Sequence, residues 1–298
     1  MLRKIDIMSE SAVITDPKIS DKVSTFYVED GWPGADAVMA YKRDGVVCLR
    51  GAFGPNWLAV IEEGIEEALS GASTNLDIVK KKGDEGSFSV SSQAWRQVKP
   101  FRRFIFHSHI ADIAWPFLES SSLTLFYDFL LIKQAHSDSA ATPWHQDHAY
   151  YPLNGKKVIN CWTALDSIPI ETALRFYRGS HSLGVVHQAT NFENPAEDYK
   201  HLRRERAAVP NIDADPNAEI IAAAMKPGDM LVWNSHTFHS APGNSLDRRR
   251  AAFSVNWVGD DVTYDDVPAL DTYRHPELKT GDRITCDKFP LVRGIGST

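Results

Sequence analysis

The sequence reads Thr142-Pro143-Trp144-His145-Gln146-Asp147-His148-Ala149-Tyr150-Tyr151 near its midpoint, and this stretch decides how the chain is interpreted. Side chains two apart in an extended segment point to the same face, so His145 and Asp147 can converge on one point. An imidazole and a carboxylate at this spacing, completed by one distant histidine, form the facial triad that holds non-heme iron(II) with open coordination positions. The pair alone is more typical of a hydrogen-bonded histidine beside an aspartate in a turn, so its meaning depends on the rest of the chain.

Length, composition and charge bound the possible classes of protein. The chain has 298 residues, 43% of them hydrophobic, which is enough for one sizeable core and leaves one domain or two open. The formal net charge is −7, and no basic run is longer than three residues, as in Arg248-Arg249-Arg250. This balance argues against a nucleic-acid-binding surface.

The cysteines and the hydrophobic pattern indicate a compartment. Cys48, Cys161 and Cys286 are odd in number, lie far apart and form no C-x-x-C motif. This usage suits a reducing cytosol better than a disulfide scaffold or a zinc site. No run of about 18 apolar residues occurs, and the N-terminus lacks the apolar region of a signal peptide. We therefore expect a cytoplasmic protein with no membrane partner and no nucleic-acid partner.

The first half of the chain carries mostly helical signals. Residues 1–30 are polar and show no clear period, so we expect a flexible N-terminal arm followed by a single domain over residues 31–298. Residues 74–92 are rich in lysine, glycine and serine and predict a surface loop. Residues 101–118 predict one partly buried helix.

The second half carries short strand signals that are separated by turns. The candidate strands are residues 123–134, 158–165, 174–177, 230–233 and 250–258. Helices first and then many short strands predict a mainly β fold with flanking helices, built on a double-stranded β-helix with a jelly-roll, cupin-like core. Residues 191–217 are polar, charged and contain proline, and we expect an insertion or lid loop that covers a site.

Six histidines on the C-terminal side of the metal pair are candidates for the third metal ligand: His181, His187, His201, His236, His239 and His275. His236 and His239 directly follow the strand at 230–233, where the mouth of a barrel would present them. Being three apart, they face opposite sides if the segment is extended. We favour His239, because it opens a turn, residues 239–244, that leads into the strand at 250–258.

The strand at 250–258 alternates between two kinds of face. One face carries Arg250, Ala252, Ser254 and Asn256, and the other carries Ala251, Phe253, Val255 and Trp257. The first face can line a cavity that binds a dicarboxylate, since a guanidinium pairs with a carboxylate through two hydrogen bonds. An amphipathic edge strand with Arg250 in solvent fits the same pattern equally well.

Five motifs follow one another along the second half: Thr142-Pro143-Trp144-His145-Gln146-Asp147, Trp162-Thr163-Ala164-Leu165-Asp166, Gly179-Ser180-His181, Pro227-Gly228-Asp229, and the segment from His239 through Asn244 to Arg250. In this order they resemble the phytanoyl-CoA dioxygenase family of iron(II)/2-oxoglutarate-dependent oxygenases. Residues 41–51 look like the opening segment of that family, so the likeness spans residues 35–258, most of the chain.

The resemblance implies roles for individual residues. Iron would be held by His145, Asp147 and His239. The distal carboxylate of 2-oxoglutarate would be held by Arg250, eleven residues after the distal histidine, in a pocket lined by Trp162. Two further residues that flank the metal pair are candidates for contact with the substrate: Trp144 and Tyr150.

The resemblance also implies a reaction. It is the oxidation of a small-molecule substrate with iron(II), 2-oxoglutarate and dioxygen, with release of succinate and carbon dioxide. Asp147 favours hydroxylation or another oxidation over halogenation, because related halogenases replace this carboxylate with a small residue. Two other interpretations stay open. A catalytically silent barrel that binds a metabolite or partner predicts a broken triad, and a cupin-type metalloenzyme that does not use 2-oxoglutarate has no need of Arg250.

Overall fold

The strands form two main sheets and the helices cover one of them in the computed structural model, which describes residues 20–79, 85–192 and 205–294. Over these residues the helices are α1 Ala35–Asp44, α2 Pro55–Glu67, α3 Lys99–His107 and α4 Ile110–Leu118. The strands are β1 Ser20–Asp21, β2 Thr25–Tyr27, β3 Val46–Arg50, β4 Leu76–Val79, β5 Phe88–Ser92, β6 Ser122–Lys133, β7 Thr142–His145, β8 Leu153–Asn154, β9 Val158–Ala164, β10 Arg175–Tyr177, β11 Ile220–Ala222, β12 Met230–Asn234, β13 His239–Ala241, β14 Arg250–Val258, β15 Thr263–Tyr264 and β16 Leu291–Gly294.

The large sheet has the strand order β2-β3-β12-β9-β14-β6-β5-β4, and β16 also pairs with β6. The small sheet has the order β1-β11-β10-β13-β7, and a short third sheet pairs β15 with β8. In both main sheets, strands that are distant in sequence alternate as neighbours, as they do in a double-stranded β-helix. The predicted mainly β fold with flanking helices and a jelly-roll core is therefore confirmed.

Buried apolar side chains fill both sides of the large sheet. Between the two main sheets lie Cys48, Trp162, Leu231 and Ala252 from the large sheet and Phe176 and Ile221 from the small sheet. A more extensive apolar layer lies between the outer face of the large sheet and the four helices. The interior between the sheets is thus closed on one side by a sheet that is itself buried on both faces.

β14 shows how the sequence pattern serves both layers. It is an internal strand between β9 and β6, and successive side chains point to opposite faces. Phe253 faces the helices and stacks on Phe101 of α3 with ring centroids 4.4 Å apart, whereas Ala252 faces the small sheet. The predicted alternation holds, but an edge strand with Arg250 in solvent is wrong, because Arg250 is buried.

The structure corrects the prediction of a flexible N-terminal arm for the described part of that segment, from residue 20 onwards. β1 pairs in parallel with β11, and β2 pairs in parallel with β3, so residues 20–27 extend both main sheets. Val23, between the two strands, is buried. The strands form because exposed sheet edges supply hydrogen-bond partners, which a local sequence pattern does not reveal. Residues 1–19 lie outside the described part of the chain.

Two further local predictions are wrong. The predicted loop at residues 74–92 contains β4 and β5, because β5 pairs with β6 and extends the large sheet; residues 80–84 of this segment are not described. The predicted helix at residues 101–118 is two helices, since Ser108 adopts an extended conformation. The break also serves a tertiary contact, in which the Nε2 atom of His109 hydrogen-bonds to the carbonyl of Ala52 at 2.6 Å.

The predicted insertion at residues 191–217 is described only in part, since residues 193–204 lie outside the described residues. Its second half contains a short helical turn, Ile212–Ala214, capped by the side chain of Asn211. None of the helices that the structure describes is both long enough and apolar enough to cross a membrane.

Candidate metal centre

Three ligand-type side chains converge beside β7 and β13, which are neighbours in the small sheet. His239 is the cross-strand partner of His145. Residues directly opposite each other in an antiparallel pair point to the same face, so the two imidazoles lie together with ring centroids 4.1 Å apart. Asp147 follows at the start of a short helical turn, Asp147–Tyr150, after one residue in extended conformation. Strand pairing therefore closes a gap of more than 90 residues between the metal pair and the distal histidine.

The distances fit a single metal ion. The Oδ1 atom of Asp147 lies 3.4 Å from Nε2 of His145 and 3.6 Å from Nε2 of His239. The three possible ligand atoms all lie within 4.8 Å of one another. Bonds of about 2.1 Å from one metal to nitrogen and oxygen ligands place neighbouring ligand atoms roughly 3 to 3.5 Å apart. The group thus has the spacing of the predicted His-Asp-His triad.

Backbone carbonyls orient both imidazoles. The Nδ1 atom of His145 lies 2.9 Å from the carbonyl of Pro143, and Nδ1 of His239 lies 3.1 Å from the carbonyl of Thr237. Because a carbonyl only accepts hydrogen bonds, the neutral form of each ring carries its proton on Nδ1 and keeps its lone pair on Nε2. Both lone pairs then face Asp147, as metal ligation requires.

Charge in the site also favours ligation. Burial by itself would raise the pKa of Asp147, but the neighbouring His239 and His145 and a hydrogen bond from Trp233 hold that pKa below its usual value. Burial lowers the pKa of His239 to about 4 despite the opposing charge of Asp147. At neutral pH the carboxylate is ionised and His239 is neutral, which are the forms that bind a metal.

His236, the other candidate for the distal ligand, lies elsewhere. Its ring stacks on His148 with centroids 4.0 Å apart. Burial and nearby Lys156 lower its pKa to about 4. The structure therefore brings His239, and not His236, to the metal pair.

Arg250 is a buried cation in the same interior. Its Nε atom and one terminal nitrogen have no hydrogen-bond partner among the residues that the structure describes. Burial lowers its pKa to about 10. A buried guanidinium without a carboxylate is costly, and a carboxylate ligand would offset that cost through paired hydrogen bonds.

Trp162 and Lys133 frame this arginine. The guanidinium carbon of Arg250 lies 5.7 Å from the ring centroid of Trp162, a cation–π distance. Lys133 is the cross-strand partner of Arg250 on β6, and its ammonium donates a hydrogen bond to the carbonyl of Pro242 at 2.9 Å. The predicted cosubstrate residues, Arg250 and Trp162, are thus brought together on the interior face of the large sheet.

Trp144, a predicted substrate contact, points away from the triad. It precedes His145 on β7, so its side chain lies on the opposite face. Its indole packs against the buried cluster of Ile212, Ile220 and Phe238 and donates a hydrogen bond to Asp213 at 3.0 Å. It also lines a cleft of about 290 Å³ between β7 and the 208–212 segment. The structure therefore does not bring Trp144 to the metal centre.

Tyr150, the other predicted substrate contact, adjoins the triad. Its ring centroid lies 5.9 Å from that of His145. Its hydroxyl donates to the carbonyl of Thr190 at 2.7 Å and accepts from the Thr190 amide at 3.0 Å. These bonds tie the segment around Thr190 to the metal side of β7.

Phe192 is a residue of the site that the sequence did not reveal. Its ring centroid lies 4.7 Å from that of His145 and 5.4 Å from that of Tyr150. It belongs to the predicted insertion, whose start therefore covers one side of the metal centre. No local pattern marks Phe192, because its position depends on the Thr190 contacts.

A second group, His275, Cys286 and Asp287, also gathers three ligand-type side chains. However, the amide of Glu277 donates a hydrogen bond to Nδ1 of His275 at 3.3 Å. The proton of the neutral ring is then on Nε2, which points to Asp287 at 3.3 Å. Arg96 also pairs with Asp287. This arrangement is a hydrogen-bonded surface cluster and not a set of prepared ligands.

Solved structures share the fold of this chain. The carbocyclase SnoK from nogalamycin biosynthesis, described as non-heme and alpha-ketoglutarate-dependent, aligns with a TM-score of 0.67 and 23% identity, covering 87% of this chain and 96% of that one. The epimerase SnoN, in complex with Fe3+, alpha-ketoglutarate and nogalamycin RO, aligns with a TM-score of 0.67 and 22% identity, covering 87% and 98%. EctD from S. alaskensis, with 2-oxoglutarate and 5-hydroxyectoine, aligns with a TM-score of 0.63 and 16% identity, covering 86% of each chain.

Sequence comparison gives the family. A comparison with curated proteins finds no match. The family described as phytanoyl-CoA dioxygenase matches residues 41–252, well over half of the chain. The matched span contains His145, Asp147, His239 and Arg250. With the fold, the ligand triad and the buried arginine all inside this span, the chain belongs to the phytanoyl-CoA dioxygenase family of iron- and 2-oxoglutarate-dependent oxygenases.

Proposed function

We propose that the chain oxidises a small-molecule substrate, by hydroxylation or a related oxidation, with dioxygen and 2-oxoglutarate as cosubstrates. The products besides the oxidised substrate are succinate and carbon dioxide. One observation carries the proposal: a convergent His-Asp-His group shares the interior between the sheets with a buried guanidinium that has no carboxylate partner within the described residues.

The triad would hold iron(II) through Nε2 of His145, Oδ1 of Asp147 and Nε2 of His239. Iron held by three protein ligands supplies open coordination positions for a 2-oxoacid and dioxygen. The chain prepares these ligands by fixing the Nδ1 protons on backbone carbonyls and by keeping Asp147 ionised and His239 neutral. Little proton release from these groups is then needed before the metal binds.

Arg250 would bind the distal carboxylate of 2-oxoglutarate. Its unpartnered nitrogens match the two oxygens of a carboxylate, and such a pair is charge-assisted and bidentate. Trp162 lies against the guanidinium and would bound the cosubstrate on that side. A ligand with a second carboxylate or oxo group could then reach from Arg250 towards the triad.

The alternatives are less well supported. A silent barrel does not explain why three ligand atoms converge, nor why backbone carbonyls hold the Nδ1 atoms of both histidines so that each Nε2 faces the metal position. A metalloenzyme that does not use 2-oxoglutarate does not explain a buried arginine without a carboxylate. Both features have a use only if a metal and a carboxylate cosubstrate bind together.

Tyr150 and Phe192 support a substrate position beside His145. Both rings lie against that ligand, on the side where the start of the insertion crosses the site. SnoN and EctD have been solved with small molecules, nogalamycin RO and 5-hydroxyectoine. We extend only the class, a small molecule, to this chain. The described cysteines are free, which supports the further proposal of a cytoplasmic location.

Anaerobic titration of the iron(II)-loaded protein with 2-oxoglutarate tests the proposal. Chelation of the iron by the 2-oxoacid is expected to produce a weak visible metal-to-ligand charge-transfer band. The band should be absent in Asp147→Ala, which loses a metal ligand. It should also be absent in Arg250→Ala, which loses the guanidinium that would bind the distal carboxylate of 2-oxoglutarate. Arg249→Ala is the matched control, because the neighbouring arginine already pairs with Glu62 and Asp166.

Each outcome points to one interpretation. A band in the wild type and in Arg249→Ala, but in neither of the other variants, supports the proposal, and substrates can then be screened by succinate release. Iron binding without a band contradicts the use of 2-oxoglutarate and favours another kind of metalloenzyme. Failure to bind iron favours the silent barrel.

A further inference from the structure

The carboxylate of Asp147 uses its two oxygens differently. Oδ1 faces the Nε2 atoms of both histidines. Oδ2 accepts hydrogen bonds from Nδ2 of Asn160 at 2.7 Å and from Nε1 of Trp233 at 3.0 Å. One oxygen is therefore left for a metal, while the other is held by two donors from the protein.

The two donors come from adjacent strands of the large sheet. Asn160 on β9 and Trp233 on β12 are cross-strand partners, so their side chains project side by side into the interior. Both are buried, with 3% and 4% of their surface exposed. The side-chain Oδ1 atom of Asn160 accepts a hydrogen bond from the hydroxyl of Ser254 at 3.4 Å. This bond orients the side-chain amide so that its NH2 group points to Asp147. The contact thus ties the loop after β7 to the opposite sheet.

Trp233 contacts a second ligand as well. Its ring centroid lies 5.2 Å from that of His239, and 5.5 Å from that of Phe176. Phe176 in turn stacks on His239 at 5.8 Å. A single indole therefore donates to one ligand of the triad and packs against another.

Holding Oδ2 has a consequence for coordination. A free carboxylate can bind a metal through one oxygen or through both. Hydrogen bonds to a charged acceptor are strong, and two of them on Oδ2 oppose rotation of that oxygen towards the metal. If both oxygens bound, Asp147 would take one of the three open positions, and a chelating 2-oxoacid would take the other two.

We propose that Trp233 and Asn160 are positioning residues that hold Asp147 as a one-oxygen ligand and so keep a coordination position open for dioxygen. The inference rests on the proposed function in one respect, since a position kept open for dioxygen is useful only to an oxygenase. The contacts that support it involve only residues of this chain. Partners of this kind usually contribute a factor of about 10 to 100 in metal affinity.

Two substitutions remove the hydrogen-bond donors to Asp147 while they keep the packing of the side chains. Trp233→Phe keeps an aromatic ring against His239 and removes the indole N–H. Asn160→Leu keeps a side chain of similar shape and removes the amide. Trp257→Phe is the matched control, since Trp257 is equally buried in the same sheet but faces the helices. Thermal unfolding of each variant reports whether the fold is retained.

Metal binding is the first measurement. The dissociation constant for iron(II), measured anaerobically by competition with a chelator, should rise about 10-fold or more in Trp233→Phe and in Asn160→Leu. It should stay within about twofold of the wild-type value in Trp257→Phe. The visible d–d spectrum of the cobalt(II)-substituted protein should change in the first two variants, because it reports the number of ligands around the metal. A purely structural role for the two residues would leave this spectrum unchanged.

The results divide cleanly. Unchanged iron affinity and unchanged cobalt spectra in folded Trp233→Phe would overturn the inference, and this variant alone decides it if Asn160→Leu does not fold. Weaker iron binding with altered spectra would support it. If the wild-type iron complex forms no charge-transfer band with 2-oxoglutarate, the proposed function fails, whereas the role of the two donors is still decided by iron and cobalt binding alone.

Discussion

Replacing Arg250 by methionine is expected to stabilise the protein in the absence of 2-oxoglutarate and to abolish binding of 2-oxoglutarate. Methionine is unbranched and adaptable, so it fills the space of the arginine stem while it removes the charge. Arg250 is suited to this test because it is buried and its Nε atom and one terminal nitrogen lack partners among the described residues.

The pKa of Arg250 sets the size of the effect. Burial lowers it from the ordinary value for arginine to about 10, and at about 1.4 kcal/mol per pKa unit the buried charge costs the folded protein about 3 kcal/mol. The folded state binds this proton more weakly than the unfolded state does. The cost is therefore present in full below about pH 10 and declines only as the pH rises from about 10 towards the ordinary pKa of arginine. Since some packing of the guanidinium is also lost, we expect the unfolding free energy to rise by about 1 to 3 kcal/mol at neutral pH.

Urea unfolding of the iron(II)-loaded protein under anaerobic conditions, with and without 2-oxoglutarate, measures both effects. A ligand at 100 times its dissociation constant stabilises the state that binds it by about 2.7 kcal/mol. The wild type should gain this amount, and Arg250→Met should gain none. The variant is thus expected to be the more stable protein without 2-oxoglutarate and to lose that advantage when the ligand is added.

Arg249→Met is the control, and it is expected to change the free energy of unfolding in the opposite direction. Hydrogen bonds from Arg249 to Glu62 and Asp166 raise the pKa of its guanidinium, so its removal should destabilise the protein by about 1 kcal/mol. The stabilisation by 2-oxoglutarate should remain. The reasoning would be refuted if Arg250→Met proved less stable than the wild type without 2-oxoglutarate and still gained the full stabilisation from the ligand.

Three further predictions concern other residues. His239→Ala should lose iron(II) binding and His236→Ala should keep it, as measured by equilibrium dialysis, because, of these two histidines, only His239 faces Asp147; the reverse result would move the distal ligand to His236. Burial raises the pKa of Asp128 to about 7, so the folded state keeps a proton that the unfolded state releases above about pH 4. The unfolding free energy should therefore fall by up to about 4 kcal/mol in total as the pH rises from below 4 to above 7, and urea unfolding at pH 5 and pH 8 should show about 2 to 3 kcal/mol of this loss in the wild type but not in Asp128→Asn. Trp144→Phe should leave the iron and 2-oxoglutarate affinities unchanged, since its indole bonds to Asp213 on the far side of β7; a large change in the charge-transfer titration would contradict the placement of that indole.

Local patterns predicted the elements whose signals lie within one segment. The alternation along β14 separates residues that face the helices from residues that face the small sheet, because a strand has a side-chain period of two whatever its partners are. The spacing of His145 and Asp147 likewise predicted two ligands on one face. The turn after His239 indicated the third ligand, and the structure brings that residue to the pair.

Predictions failed where a segment takes its structure from a distant partner. Residues 20–27 and β5 lack a strong strand signal, and they are strands because exposed edges of the sheets accept them. Residues 101–118 have a continuous helical pattern, but Ser108 ends one helix and His109 bonds instead to Ala52.

The sequence by itself determined the kinds of side chain at the metal centre and the face of each strand on which they lie. Only the tertiary structure decided which of them meet. Asn160 and Trp233 reach Asp147 because β9 and β12 pair opposite the small sheet, and Phe192 reaches His145 because Thr190 is bonded to Tyr150. The direction of a side chain is set by the local backbone, whereas contacts between strands far apart in sequence depend on how the whole barrel closes.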